Sequence, residues 1–218
     1  MIKSKLKLKA VTLLTVGWGV PEVLGADVVQ VKKLVGDRLE PYLPGSSVKG
    51  SLRSAASRVA KGYGFTICGE VEPSRISKAH KSMNGPCDVC KVFGWPNGEA
   101  ALSVGNFKLT GSTKSLVLTR VSLDDRTQTA AREALYSTEH LPPGTVFEGE
   151  IRFLESRANL LPLLLLALAE LRTGRFGRRS LVDVKLEDEG VFDKFVAGEW
   201  KELLEELREW LWEGVVRP

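Results

Sequence analysis

The sequence predicts an α+β domain with a ferredoxin-like, RRM-like core, and three observations carry that prediction. Residues 2–10 and 145–153 alternate apolar and charged side chains with the period of a half-buried strand. Helical stretches at 46–64 and 159–173 separate strand-like runs, giving the order strand, helix, strand, strand, helix, strand, which is the split βαβ arrangement. The 218 residues suffice for one substantial core, and one domain carrying insertions is the simplest reading.

The elements follow in order. In the first strand Leu6, Leu8 and Ala10 face the core while Lys5, Lys7 and Lys9 face out. Residues 15–43 form an irregular loop long enough to be functional. The first helix takes Ser46 or Ser47 as N-cap, buries Val48, Leu52, Ala55 and Val59, and stops near Gly62 or Gly64. Lys49 and Arg53 lie one turn apart beside its N-terminus, where free N–H groups would attract a phosphate. Strands follow at 99–109, 114–123 and 145–153, with Phe147, Ile151 and Phe153 inward. The leucine-rich helix ends at Gly174, a basic glycine loop covers 172–179, and a strand places Val182, Val184 and Leu186 inside. An amphipathic helix over 191–213 closes the chain, with Phe192, Phe195, Trp200, Leu203, Leu207 and Trp210 on its apolar side.

The longest apolar run, 160–169, is too short to span a bilayer, and residues 1–9 lack a secretory h-region; a cytoplasmic protein with reduced thiols is expected. Residues 1–66 carry eleven Lys and Arg against four Asp and Glu, a net +7, whereas residues 188–218 carry four against nine, a net −5. The basic front half suits a polyanion, although solvated lysines on a strand face would give the same count.

Cys68, Cys87 and Cys90 lie within 23 residues, with His80 among them. Cys-x-x-Cys lets two thiolates reach one tetrahedral ion, and the third Cys and His80 complete a Cys3His set for structural zinc, replacing a core in an insertion at about 65–95. A redox pair at Cys87 and Cys90, or three unrelated free thiols, are the competing readings.

Four segments resemble, in order, those of the RAMP superfamily, the guide-RNA-binding backbone proteins of type III CRISPR complexes. They are "LPGSSVKGSLRSAA", "CDVCKVFG", "RVSLDDRTQTAAREALYSTEHLPPGTVFEG" and "TGRFGRRSLVDV", spread over residues 1 to about 187. The resemblance implies that Ser46, Ser47, Lys49 and Arg53 hold the CRISPR guide RNA (crRNA) through its backbone, without reading its sequence. A hairpin within about 112–140 would act as a thumb wedging the guide:target duplex, with Arg120 and Arg126 on RNA. Arg172, Arg175, Arg178 and Arg179 would face RNA from the glycine loop. Copies would stack into a helical filament beside other effector subunits, with no membrane involved.

The resemblance further implies cleavage of complementary target RNA by a loop aspartate, here Asp27 in "LGADVVQVKK". RNA brings its own 2′-hydroxyl nucleophile, so one carboxylate that orients it, or holds a divalent cation such as Mg2+ or Mn2+, can suffice. The match is one residue short between Ala26 and the acid, and Glu22 and Asp37 are rivals. A purely structural RNA-binding subunit and a guide-processing endoribonuclease are the alternatives.

Overall fold

The computed structural model describes residues 1–17, 26–96, 98–124, 126–127 and 129–213, with the side chains of 130–134 outside the description. Nine strands and five α-helices are assigned among these residues. β1 (Ile2–Ala10), β2 (Lys32–Val35), β3 (Arg38–Leu43), β4 (Leu102–Val104), β5 (Phe107–Thr110), β8 (Val146–Phe153) and β9 (Val182–Glu187) make one sheet, ordered β2-β3-β5-β8-β1-β9 with β4 also on β8. α1 (Gly45–Val59) and α4 (Leu161–Leu171) are the two crossover helices. Taking β1, α1, β4 with β5, β8, α4 and β9 alone recovers the ferredoxin-like order predicted above.

β1 runs between β8 and β9, pairing Leu8 with Phe147 and with Val184. Its inward residues Ile2, Leu6, Leu8 and Ala10 are buried together with Phe147, Ile151, Phe153, Val182, Val184 and Leu186. α4 is apolar nearly all round, which fits a helix sunk in the core, and Leu161, Leu163, Leu164, Leu165, Leu168 and Leu171 are all buried. Each such leucine contributes roughly 1.5–3 kcal/mol, so this layer dominates stability. α1 buries Val48, Leu52, Ala55 and Ala56 against it, while Val59 is half-buried.

Several expectations change. α1 begins at Gly45 with Pro44 as N-cap and no side-chain cap, because the Gly45 N–H is taken by Asn106 Oδ1 and the Ser47 and Val48 N–H groups by the Pro44 carbonyl. Gly45 is required here: an added Cβ would strike the Val104 carbonyl oxygen and lie 2.7 Å from that of Gly105. The irregular loop contains the β2–β3 hairpin, turned at Gly36 with φ +59°, with Asp37 in the turn. The insertion folds as α2 (Pro73–Ser82) and α3 (Asp88–Phe93). The leucine-rich helix is shorter than predicted and is preceded by a 3₁₀ segment over 155–160.

The terminal amphipathic stretch also divides. A 3₁₀ turn spans 192–194, and α5 (Glu199–Leu207) starts after Gly198, whose φ of +62° breaks the helical run. Among the described residues no helix is long and apolar enough to cross a membrane.

β6 (Leu116–Leu123) and β7 (Ala130–His140) form a separate two-stranded ribbon between β5 and β8. Every residue of β6 is exposed, and its apolar side chains include Leu116, Val117, Leu118, Val121 and Leu123.

Candidate functional site

Two clusters of chemistry-bearing side chains stand out. The first is at the root of the ribbon, where four chain segments meet through backbone bonds. Leu14 and Leu141 exchange N–H···O bonds of 2.9 and 2.8 Å, the Val28 N–H reaches the Ser137 carbonyl at 3.1 Å, and the Arg178 N–H reaches that of Thr15 at 3.0 Å. Gly177 makes the last approach possible, since at φ +54° a Cβ there would collide with the Thr15 oxygen.

Asp27 sits in this junction and is exposed. Its Oδ2 accepts the Ser137 N–H at 2.7 Å and the Ser137 hydroxyl at 2.9 Å, and the Asp27 N–H donates to Ser137 Oγ at 3.1 Å. The Ser137 backbone N–H first, and its hydroxyl second, hold the carboxyl below the usual carboxylate range. The Arg178 side chain lies by Gly17: a Cβ built there would be 3.6 Å from Arg178 Nε and 3.5 Å from Val28 Cγ1. Asp37 is a turn residue on the far hairpin, and Glu22 lies outside the described residues.

Buried polar groups stiffen the junction. Thr15 donates its hydroxyl to the Glu139 carbonyl at 2.7 Å and stands 2.7 Å from His140 Nδ1. With that proton spent, Nδ1 must be the donor, so Nε2 is an acceptor for Arg120 Nη2 at 3.2 Å. Burial, and then the Arg120 charge, push the His140 pKa down. Glu139 pairs with Lys32 at 2.8 Å and accepts the Gln30 N–H at 3.0 Å. Lys32 therefore serves the fold.

The second cluster is Cys68, His80, Cys87 and Cys90, whose ligand atoms all lie within 4.8 Å of one another. Two thiolates about 2.3 Å from a tetrahedral zinc are about 3.8 Å apart, and the Cys68 and Cys90 sulfurs stand at 3.7 Å. His80 Nε2 is buried without a hydrogen-bond partner, which leaves a lone pair available. The group can hold a metal such as zinc. Hydrogen bonding between the two thiols lowers Cys87 and, with burial, raises Cys90. Cys87 precedes α3, as in a redox pair, but no strand leads into it, and Cys68 and His80 converge on the same point.

The expected RNA-facing residues separate. Ser46 is exposed, Ser47 and Lys49 are half-buried, and Arg175, Arg178 and Arg179 are exposed. Burial, and then repulsion from Arg53, lower the Lys49 pKa. No carboxylate pairs with Lys49 among the described residues, the setting of a lysine ready for an anion. Arg126 is exposed in the ribbon turn, where its N–H binds Asp124.

One expectation is overturned. Arg172 is 4% exposed and donates to the carbonyls of Val184, Glu206 and Glu209 while pairing with Asp183 at 3.4 Å, so it does not line an RNA surface. Arg53, half-buried and expected on RNA, donates from Nη2 to Cys90 Sγ at 3.1 Å and from Nη1 to the Gly94 carbonyl at 2.6 Å. The anion site predicted at the α1 terminus is also reduced, because three of its first N–H groups are satisfied internally.

Sequence reasoning missed Ser137, Thr15, His140 and Glu139. No local pattern marks them, since each acts through a partner 109 or more residues away. Among the described residues the cysteine cluster is the one group of three or more His, Cys, Asp or Glu placed to hold an ion, and Asp27 belongs to no such group.

A family model described as the RAMP superfamily matches residues 7–214. No curated protein matches the chain.

Proposed function

The chain belongs to the RAMP superfamily, and we propose that it is a backbone subunit of a type III CRISPR ribonucleoprotein that binds crRNA and cuts complementary target RNA. Membership of the superfamily points to a CRISPR-associated RNA-binding subunit, and the finer reading rests on the Asp27 junction. Lys49, with Ser46 and Ser47 beside it, and Arg175, Arg178 and Arg179 would hold phosphates without reading bases. The ribbon would be the thumb, and its exposed apolar strand supports contact with a neighbouring copy in a filament or with another effector subunit.

In the cutting step the 2′-hydroxyl attacks the adjacent phosphorus, and the bond to the 5′-oxygen breaks. Products are a 2′,3′-cyclic phosphate and a 5′-hydroxyl; water takes up the 2′-hydroxyl proton and supplies the proton that the departing 5′-oxygen gains. Ser137 occupies Asp27 Oδ2 and leaves Oδ1 to accept from the 2′-hydroxyl. A carboxylate held below its usual pKa is a weak base, so its contribution is alignment of the nucleophile. Arg178 would offset the growing phosphate charge. Among the described residues Asp27 belongs to no ion-holding group, and a divalent cation such as Mg2+ or Mn2+ held by its carboxylate would add charge stabilisation at the phosphate.

Zinc would be structural, with Cys68, His80, Cys87 and Cys90 filling all four positions and leaving none open for chemistry. The observation that carries the reading is the exposed Asp27 carboxylate, fixed through Oδ2 by Ser137, with no partner on Oδ1 among the described residues. Asp27→Ala in the assembled complex is expected to slow target cleavage by at least ~10²-fold; unchanged cutting at the same sites would refute the catalytic role. A purely structural subunit remains the second reading because the Asp27–Ser137 bonds also serve the fold, and it predicts the refuting result. Guide processing is disfavoured by the histidines: His80 lies in the cysteine cluster, and both His140 ring nitrogens are engaged. Repeat RNA supplied alone is expected to stay intact.

A further inference from the structure

Arg53 is the one cation of α1 that points into the cysteine cluster. Its Nη2 stands 3.1 Å from Cys90 Sγ and its Nη1 2.6 Å from the Gly94 carbonyl, so the guanidinium fork spans a ligand sulfur and the backbone that leaves α3. Cys90 itself is fully buried. Three thiolates and a neutral imidazole around a divalent ion sum to one negative charge, and burying that charge is costly unless a cation is fixed beside it. Arg53 supplies that cation with two donors at a set angle, which a lysine ammonium cannot reproduce.

The same helix gives Arg53 a second consequence. Lys49, one turn earlier, feels its positive charge. Arg53 spends one N–H of each terminal nitrogen on the Gly94 carbonyl and Cys90 Sγ, which draws its guanidinium toward the cluster, whereas no such bond holds the Lys49 ammonium among the described residues.

We propose that Arg53 is the outer donor of the metal centre: it fixes the Cys90 thiolate, ties the insertion to α1, and takes no part in the phosphate footprint. This rests on the zinc reading above. It assigns to metal retention a residue that the motif alone would give to RNA.

Two measurements on the full-length zinc-loaded chain test it. The first is the rate at which zinc passes to a competing chelator. Arg53→Ala is expected to release zinc 10- to 100-fold faster, the range for losing a partner of a ligand, and Arg53→Lys to fall between, since it retains charge but loses the fork. The second is the salt dependence of binding to a short single-stranded RNA. Lys49→Ala is expected to lower the slope of log K against log salt by about 0.7, one phosphate contact, and Arg53→Ala to leave it at the wild-type value.

Zinc release at the wild-type rate in both variants overturns the proposal, as does a slope that falls with Arg53→Ala as it does with Lys49→Ala. A chain that takes up no zinc overturns the zinc reading and this proposal together, whereas normal uptake with unaltered release removes this proposal alone. Because Arg53→Lys preserves the charge and most of the packing, the comparison holds even where the alanine variant folds poorly.

Discussion

His140 lies between Thr15, which accepts from Nδ1, and Arg120, which donates to Nε2, so a proton added at Nε2 would face another N–H. The folded pKa is lowered by burial and by Arg120, while the unfolded chain titrates near 6.5. Stability from this group is therefore complete above about pH 6.5 and is lost as pH falls through the folded value, because the unfolded chain gains a proton that the fold refuses. The melting-temperature gap between wild type and His140→Gln is expected to narrow from pH 8 to pH 5; a gap independent of pH would refute the neutral, Nδ1-protonated assignment. At this scale the sequence was partly legible. Asp27 is reachable through its surrounding motif, but Ser137 is 110 residues distant and carries no signal of its own. Arg172 sits in a run of arginines that reads as a basic loop, and only the fold turns it inward against Asp183.

Among the elements, α1 is limited by Gly45 rather than by a serine cap. Gly45→Ala forces Cβ into the carbonyls of Val104 and Gly105, and a loss of about 1–3 kcal/mol is expected by urea denaturation. A change under ~0.5 kcal/mol would mean that the β4–β5 connection yields freely. The insertion depends on its cluster more than on its helices, because α2 buries only Ile76 and His80. Cys87→Ser is expected to reduce zinc from one per chain to none and to expose 65–95 to proteolysis; retention of both would rule out the metal. Period-2 alternation made β1, β8 and β9 readable. The β2–β3 hairpin escaped because nine of its ten strand residues are exposed or half-buried, leaving no alternation to detect. The terminal amphipathic stretch misled in length because its apolar spacing continues across Gly198, which the backbone does not.

At the level of the whole molecule the basic front half resolves into two populations. On β1, Lys5 pairs with Glu148 at 3.4 Å and Lys7 with Glu187 at 2.7 Å, so these charges are spent across the open sheet face. Lys5→Ala is expected to leave the salt dependence of RNA binding unchanged, and a fall of a full contact would return β1 to the RNA footprint. Net charge counted along a chain cannot make this distinction, since the carboxylates arrive from strands more than 140 residues later. The core is continuous through the sheet and both crossover helices, yet β6 and β7 pair only with each other beyond their root. An isolated two-stranded ribbon is marginal in water. Its amide hydrogens are therefore expected to exchange with deuterium orders of magnitude sooner than those of β1 or β8, slowing only at Ser137 to Leu141 where other segments clamp it. The free arm would behave as a latch whose tip opens without disturbing its hinge.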